Sequence, residues 1–252
     1  MVKGEVILQT KKLFKSFGGI MAIADVSFDL FKGETLGIIG PNGSGKTTVV
    51  NLITRFVKPD LGQVFFKGRE ISSLPPYKIA DLGIVRTFQI MRPFYTLPAY
   101  KNLIVPLCSP RVRRASGGRL GDRDAVAIDL LEEIGFERDA HVPYKKASSL
   151  PLGYLKRLEL ARCLALRPEV IICDEIFSGL SMAEISSLIP LLERLQIEGM
   201  TIIMIEHRLR ELFRLVQRVI VLNFGVKVAD GTPQEVVNNE EVKKAYLGRK
   251  GL

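Results

Sequence analysis

Hydrophobic and polar positions follow two distinct patterns along this chain. In residues 1–31, apolar and polar side chains alternate in short runs on either side of the turn-forming pair Gly18-Gly19. Because successive side chains of a strand point to opposite faces, this alternation predicts a small antiparallel sheet. Three later runs are almost continuously apolar, which is typical of parallel strands covered on both faces. They span residues 36–39, 170–173 and 201–205.

The segments between the apolar runs have helical patterns, so the chain is predicted to be an α/β protein with a mixed, largely parallel sheet. Residues 89–159 differ in character, since they are rich in proline and basic side chains and poor in strand signals. We therefore predict a single domain over residues 1–252. Residues 1–88 and 160–252 would form its core, and residues 89–159 an inserted helical lobe.

One amphipathic helix is predicted inside this lobe. Ala127, Leu130, Leu131 and Ile134 follow the i, i+3, i+4, i+7 spacing of a helix face, and Gly135 is placed to end the helix.

The preceding residues, 108–124, combine a Gly117-Gly118 pair with several arginines, which predicts a mobile, exposed loop. Such a loop is either simply solvated or contacts an anionic partner. Its arginines are Arg111, Arg113, Arg114, Arg119 and Arg123.

Two elements are predicted after the third apolar run. Residues 219–222 and 226–228 flank Asn223-Phe224-Gly225, a pattern typical of a hairpin. A charged helix is predicted over about residues 233–246.

Composition narrows the class of protein. The chain has 252 residues, 47% apolar and 25% charged, which is ordinary for a globular protein with a sizeable core. Lys3 and Glu5 interrupt the start of the chain and no 18-residue uncharged apolar run occurs, so neither a membrane span nor a signal peptide is expected. The three cysteines lack C-x-x-C spacing, which argues against a disulfide framework. The net charge of +9 names no partner by itself.

A glycine-rich segment directly follows the first apolar run and satisfies the pattern G-x-x-x-x-G-K-[ST]. A helix, predicted over residues 49–56, comes next, so backbone N–H groups and the helix N-terminus would surround phosphate oxygens. Lys46 would reach the β- and γ-phosphates, and Thr47 would hold Mg²⁺. A turn without a ligand would leave both side chains without a role. The predicted phosphate-binding residues are Gly40, Pro41, Asn42, Gly43, Ser44, Gly45, Lys46, Thr47 and Thr48.

Acidic and imidazole side chains follow the other two apolar runs. Asp174 and Glu175 end the second run, and His207 follows the third. Two adjacent acids at the end of a buried strand are costly unless a cation or a reaction uses them, although a plain surface turn is the alternative. Asp174 suits Mg²⁺, and Glu175 suits a base that polarises water. A lone histidine is most often structural, but ligands of α/β sheets bind at the carboxyl ends of strands, where His207 could sense a γ-phosphate.

These three motifs in this order resemble those of ABC transporter nucleotide-binding domains. The resemblance implies a P-loop NTPase core with an N-terminal antiparallel β subdomain and an inserted α-helical lobe. It also implies ATP and Mg²⁺ as ligands, and ATP hydrolysis as the activity.

The resemblance extends to a motif that is usually Leu-Ser-Gly-Gly-Gln in this family, where it contacts the partner subunit's ATP in a head-to-tail dimer. In this chain it corresponds to Leu150, Pro151, Leu152, Gly153 and Tyr154. The serine hydroxyl is missing, yet Gly153 and the following helix still offer backbone donors.

Two further positions match the family by their surroundings. Gln89 resembles the glutamine that reaches Mg²⁺ and the attacking water and links the core to the helical lobe. Phe17 falls where the family stacks an aromatic ring on adenine, whereas a core phenylalanine is the alternative from sequence alone.

Two departures concern communication between the paired sites. Ser181 stands where the family most often has Asp, and Ile176 replaces the usual Pro after the catalytic Glu. These departures argue against the cross-talk between the two ATP sites that the resemblance otherwise implies.

Narrower features resemble the ATPases of branched-chain (hydrophobic) amino-acid uptake systems. They include Arg86-Thr87-Phe88-Gln89 and the ending 238–248. The resemblance implies a second ATPase subunit, either the same or a sister chain, together with a transmembrane permease and an extracytoplasmic solute-binding protein. The chain would then lie at the cytoplasmic face of the plasma (inner) membrane, held by the permease, with no nucleic acid partner. Alternatives are a lipopolysaccharide-export ATPase, a soluble ABC ATPase of translation or repair, a regulatory ATP-binding module and, least favoured, a small-molecule kinase.

Overall fold

The N-terminal alternation folds into the predicted antiparallel sheet in a computed structural model that describes residues 4–118 and 121–247. Strands β1 (Val6–Phe17) and β2 (Ile20–Phe31) pair around Gly18 and Gly19, whose φ angles of 52° and 84° suit a tight hairpin turn. Strands β4 (Leu61–Phe66) and β5 (Arg69–Glu70) extend this sheet in the order β2-β1-β4-β5.

All three continuous apolar runs lie in a second, six-stranded sheet. Its strands are β3 (Thr35–Ile39), β6 (Ile84–Arg86), β7 (Val170–Asp174), β8 (Thr201–Ile205), β9 (Arg218–Asn223) and β10 (Val226–Gly231). They lie in the order β10-β9-β3-β8-β7-β6. All pairings within the sheet are parallel except that of the edge strand β10, which is antiparallel to β9. The predicted hairpin joins these two strands through Phe224 and Gly225.

The central strands β3, β7 and β8 are buried at every position, because both faces of the large sheet are covered there, which explains their almost continuous apolar runs. Alternate residues such as Ile172 and Ile203 face the antiparallel sheet and helix α1 (Lys46–Ile53). Their neighbours Cys173 and Met204 face the opposite hydrophobic core, which continues into the lobe. Burial on both faces favours a strand over an amphipathic helix at these positions.

Nine further helices lie within the described ranges 4–118 and 121–247. They are α2 (Pro76–Leu82), α3 (Ile104–Leu107), α4 (Pro110–Ala115), α5 (Arg123–Glu133), α6 (Leu152–Leu164), α7 (Met182–Ile197), α8 (Leu209–Leu215), α9 (Pro233–Asn238) and α10 (Glu240–Leu247). No helix in this part of the chain combines the length and apolarity needed to cross a bilayer.

Helix α5 is the amphipathic helix predicted for the lobe. Ala127, Leu131 and Ile134 are buried, and Gly135, with φ 90°, follows the C-cap residue Ile134. The N–H of Gly135 bonds to the Glu132 carbonyl, and the N–H of residue 136 bonds to the Leu131 carbonyl. This pair of bonds is a Schellman motif, which a glycine in the left-handed conformation makes possible.

The described residues between 89 and 159 contribute no strand to either sheet, apart from one isolated bridge between Pro98 and Lys146. The boundary predicted at 159–160 lies inside α6, whose helix continues to Leu164. Helix α6 therefore belongs to both parts of the molecule.

The predicted loop over residues 108–124 is wrong for its first half, which contains helix α4. Ser109 accepts a hydrogen bond from the Val112 N–H and Pro110 occupies the first turn, so the helix has a standard start that the arginines obscured. Arg111 donates to the carbonyls of Leu82 (2.8 Å) and Arg167 (2.9 Å). Arg119 lies outside the described residues.

Two predicted helices have different bounds. The helix after the glycine-rich segment begins at Lys46, three residues earlier than expected, because the glycines themselves form its entry. The predicted helix over 233–246 is two helices, and Asn239 separates them. Its extended backbone (ψ 123°) ends α9, and its side chain accepts N–H bonds from Glu241 and Val242 to start α10. Gly248 of the family-like ending lies outside the described residues.

Candidate nucleotide site

The glycine-rich segment 40–48 forms a tight loop between β3 and α1. A Cβ atom on Gly40 would lie 2.1 Å from the Leu222 carbonyl oxygen, and one on Gly45 would lie 2.8 Å from the Ala22 carbonyl oxygen. Neither position therefore accepts a larger residue without movement of the backbone. The loop is clamped in place by the β9–β10 hairpin, since the Gly225 N–H bonds to the Ser44 carbonyl.

Helix α1 presents its N-terminus to this loop without a side-chain cap. Uncapped N–H groups and the positive end of the helix dipole form a site for a phosphate oxygen. Lys46 is 6% exposed, and its Nζ donates to the carbonyls of Gly40 (2.8 Å) and Pro41 (3.0 Å). These contacts hold the ammonium group inside the loop. Thr47 is exposed beside it, and Asn42 and Gly43 are also exposed.

Asp174 ends the buried strand β7 and is only 2% exposed. One carboxylate oxygen accepts from the Arg86 guanidinium at 2.6 Å, and Arg86 also donates to the Asn51 side chain. The Asp174 N–H donates to the Thr87 hydroxyl. The other oxygen, Oδ1, is buried and has no hydrogen-bonding partner among the described residues.

An unpartnered buried carboxylate oxygen is unusual, because desolvation without compensation is costly. Its hard oxygen chemistry fits Mg²⁺, which commonly binds to one protein carboxylate, a hydroxyl and the oxygens of a nucleotide. Among the described residues, no group of three or more His, Cys, Asp and Glu side chains is placed to hold a metal ion.

Three predicted catalytic side chains meet at the carboxyl edge of the large sheet. Glu175 Oε2 accepts from Gln89 Nε2 at 2.6 Å, and Glu175 Oε1 lies 3.1 Å from His207 Nε2. The Glu175 side chain is 14% exposed and that of His207 is 46% exposed, so both are in contact with solvent. His207 and Gln89 are 32 and 86 positions from Glu175 in the sequence, and the parallel strands bring them together.

The backbone of Glu175 adopts the left-handed conformation, with φ 52°. This conformation is uncommon for a residue with a side chain and persists only where the surroundings hold it. The Glu175 N–H bonds to the Ile205 carbonyl at 2.9 Å, which fixes the end of β7 to the end of β8. The strained backbone thus belongs to the residue whose carboxylate contacts both Gln89 and His207.

Phe17 is 48% exposed at the end of β1. The alternative of a core phenylalanine is therefore wrong. The Lys15 ammonium lies 5.3 Å from the ring centroid, and the ring is available for stacking.

The segment 150–154 forms the start of α6, and its first and last residues serve the lobe. Leu150 is 7% exposed within the core. The Tyr154 hydroxyl donates to Glu137 at 2.5 Å and its ring packs edge-on against Phe136, and this hydrogen bond lowers the pKa of the Glu137 carboxyl. The Leu150 and Tyr154 side chains therefore pack within the lobe, and nucleotide binding by segment 150–154 stays a prediction.

The middle of the segment remains available to a ligand. Pro151 and Leu152 are exposed, and Gly153 is half-buried. The Gly153 N–H donates to Glu184 at 3.2 Å, and Glu184 also forms a capping box with Ser181 at the start of α7. Ser181 therefore caps a helix where the family most often has Asp.

Several residues near the site were not predicted to have a function. Arg86 is a charged residue within the apolar strand β6, and this interruption is the signal that could have revealed its pairing with Asp174. Lys156 and Glu206 are also buried charges. The sequence signal of Lys156 is weaker, because helix α6 carries charges on several faces, and Glu206 lies beside His207 just after β8.

Comparison with known proteins gives consistent matches. The chain matches the family described as ABC transporter over residues 23–178, and the one described as branched-chain amino acid ATP-binding cassette transporter over residues 226–251. It is 38% identical to the high-affinity branched-chain amino acid transport ATP-binding protein LivG of Salmonella typhimurium, covering 96% of this chain and 98% of LivG. It is 36% identical to BraF of Pseudomonas aeruginosa, a protein of the same description, with the same coverage.

Solved structures agree with the fold. A nucleotide-free ATP-binding cassette from an ABC transporter superposes with a TM-score of 0.84 at 29% identity, covering 96% of this chain and 98% of that one. The dimeric bacterial cassette MJ0796 superposes with a TM-score of 0.77 at 25% identity, covering 90% and 99%.

Proposed function

Because the chain belongs to the ABC transporter family of ATP-binding subunits, we propose that it powers uptake of branched-chain or other hydrophobic amino acids through a separate permease. The placement of the Glu175 carboxylate between Gln89 and His207, at the sheet edge that also carries the phosphate loop, is the observation that supports a working ATPase. The substrate class rests on the relatives LivG and BraF and on the match over residues 226–251.

ATP would bind along the loop at 40–48. The exposed Phe17 ring would stack on adenine, and the backbone N–H groups of the loop and the Lys46 ammonium would hold the phosphates. Lys46 would exchange its contacts with loop carbonyls for phosphate oxygens, so the loop is preorganised for an anion.

Mg²⁺ would be held by Thr47, Gln89 and Asp174, the last through its unpartnered Oδ1 or a bridging water. When bound, the ion supplies positive charge that neutralises the phosphate oxygens. Arg86 fixes the orientation of the Asp174 carboxylate, and the Thr87 hydroxyl accepts the Asp174 backbone N–H.

Glu175 would accept a proton from the attacking water, because its carboxylate is the acceptor in this cluster. Gln89 and His207 would orient the Glu175 carboxylate, and His207 would also contact the γ-phosphate. Gln89 lies where the core meets the lobe, so a movement of Gln89 when ATP binds the core would be transmitted to the lobe.

Two subunits, identical or sister chains, would sandwich two ATP molecules head to tail. The exposed residues Pro151 and Leu152 would contact the partner subunit's ATP, and so would the N–H of Gly153 after it leaves the Glu184 carboxylate. In this arrangement residues 89–159 act as the moving lobe, and the rest as the catalytic core.

ATP should therefore dimerise the Glu175→Gln variant, since slow hydrolysis traps the closed pair. The measurement is light scattering of the full chain at saturating Mg·ATP, with Lys46→Met as the control that loses phosphate contacts. A strictly monomeric Glu175→Gln protein would contradict the sandwich for the isolated subunit.

The chain would work at the cytoplasmic face of the plasma (inner) membrane, bound to its permease. The permease would receive substrate from an extracytoplasmic binding protein. We expect a tagged copy, purified from gently solubilised native membranes, to carry multi-span permease subunits and a second ATPase identified by mass spectrometry. Permeases of a lipopolysaccharide exporter would contradict the substrate class, and ribosomes or DNA in their place would contradict transport.

A further inference from the structure

Two ionisable side chains, one basic and one acidic, are buried against the backbone of the turn that begins at Glu175. Lys156 of α6 is 4% exposed, and Glu206, which follows β8, is 3% exposed. Burial raises the pKa of Glu206 to about 7 and lowers the pKa of Lys156, and the charge of each partly offsets the shift of the other. Such groups are costly to desolvate, so their retention requires a reason.

Both side chains bond to the backbone of the turn that follows β7. Glu206 Oε1 accepts the N–H of Phe177 at 2.9 Å, and Lys156 Nζ donates to the Glu175 carbonyl at 3.1 Å. That carbonyl also accepts the N–H of Ser178, and the Glu175 N–H bonds to the Ile205 carbonyl. The peptide groups on both sides of the Glu175 Cα are thus held by polar contacts.

These contacts surround the residue whose backbone is left-handed. A φ of 52° at Glu175 is unfavourable by itself and needs external restraint. Relaxation of this backbone would rotate the carboxylate away from Gln89 and His207, since the side chain direction follows φ and ψ.

We propose that Lys156 and Glu206 are positioning residues for ATP hydrolysis, which hold the strained Glu175 backbone so that its carboxylate faces the attacking water. The inference rests on the proposed role of Glu175 as the base. Lys156 lies one helical turn after Gly153. Helix α6 would therefore contact the partner subunit's ATP through segment 150–154 and hold Glu175 of its own subunit through Lys156.

Removal of either contact should slow chemistry without weakening ATP binding. We expect Glu206→Leu and Lys156→Met to lower the single-turnover hydrolysis rate roughly 10- to 100-fold, the usual consequence of a displaced catalytic group. Equilibrium affinity for ATP should stay within about twofold of the parent, because neither side chain belongs to the phosphate loop. Glu206→Gln keeps an acceptor for the Phe177 N–H and should retain most of the activity. Lys78→Met removes an exposed lysine of α2 and serves as the control for loss of one positive charge.

The deciding experiment combines each change with Glu175→Gln in the full chain. If Lys156 and Glu206 act through Glu175, then Lys156→Met and Glu206→Leu should cause less than a twofold further loss in the Glu175→Gln background. An equal loss in both backgrounds would overturn the proposal, as would loss of ATP affinity together with rate. Should Glu206→Leu fail to fold, the Lys156→Met cycle and the Glu206→Gln rate test the same coupling. A parent rate for Glu175→Gln alone would instead refute the proposed role of Glu175.

Discussion

Glu175→Gln should bind ATP as tightly as the parent and hydrolyse it roughly 10²–10⁴-fold more slowly, the range typical for loss of a positioned base. The amide keeps the size of the side chain and can still contact Gln89 and His207, but it cannot accept a proton from water. Phosphate release measures the rate, and equilibrium titration measures the affinity.

The matched control is Glu198→Gln, which removes an exposed carboxylate after α7. It should hydrolyse ATP at the parent rate. A Glu175→Gln protein that also does so would show that the base lies elsewhere, and loss of ATP affinity would show that the carboxylate serves binding instead.

Arg86→Met should destabilise the protein by about 3–5 kcal/mol, the usual consequence of leaving a buried charge without its partner. The two side chains are 7% and 2% exposed and 2.6 Å apart, so water cannot replace the guanidinium beside Asp174. Urea unfolding in the absence of nucleotide and Mg²⁺ measures the loss.

The double variant Arg86→Met/Asp174→Asn tests the cause. It should be more stable than the sum of the single changes predicts, because the second change removes the stranded charge. Arg214→Met, which breaks an exposed pair with Glu193, is the control and should have a far smaller effect. Strict additivity at Arg86 and Asp174 would indicate that packing, not charge pairing, dominates.

The sheet was predictable from the sequence because its signals are local. Continuous apolar runs mark β3, β7 and β8, and a glycine pair marks the first hairpin. Helix bounds were less accurate where short-range capping decides them. Ser109-Pro110 starts α4 within a run of arginines, and Asn239 divides the last helical stretch in two.

The position of the glycine-rich loop at 40–48 and that of the acidic end of β7 were also predictable, since each consists of consecutive residues. The buried charges were not, because their partners are distant in sequence. Arg86 meets Asp174 and Lys156 meets Glu175 only after parallel strands and the lobe have assembled. The packing of Tyr154 within the lobe was not predictable either, because its partners Phe136 and Glu137 belong to another segment.

Helix α6 has a mechanical consequence. Its 13 residues form one uninterrupted rod of about 20 Å, which starts at the exposed face of the lobe and ends against the large sheet. If one end of a rod of this length stays fixed, a tilt of roughly 10° moves the other end by about 3 Å. A neighbouring subunit that displaces Leu152 would therefore also shift the end of α6 that packs against the large sheet, with the helix intact.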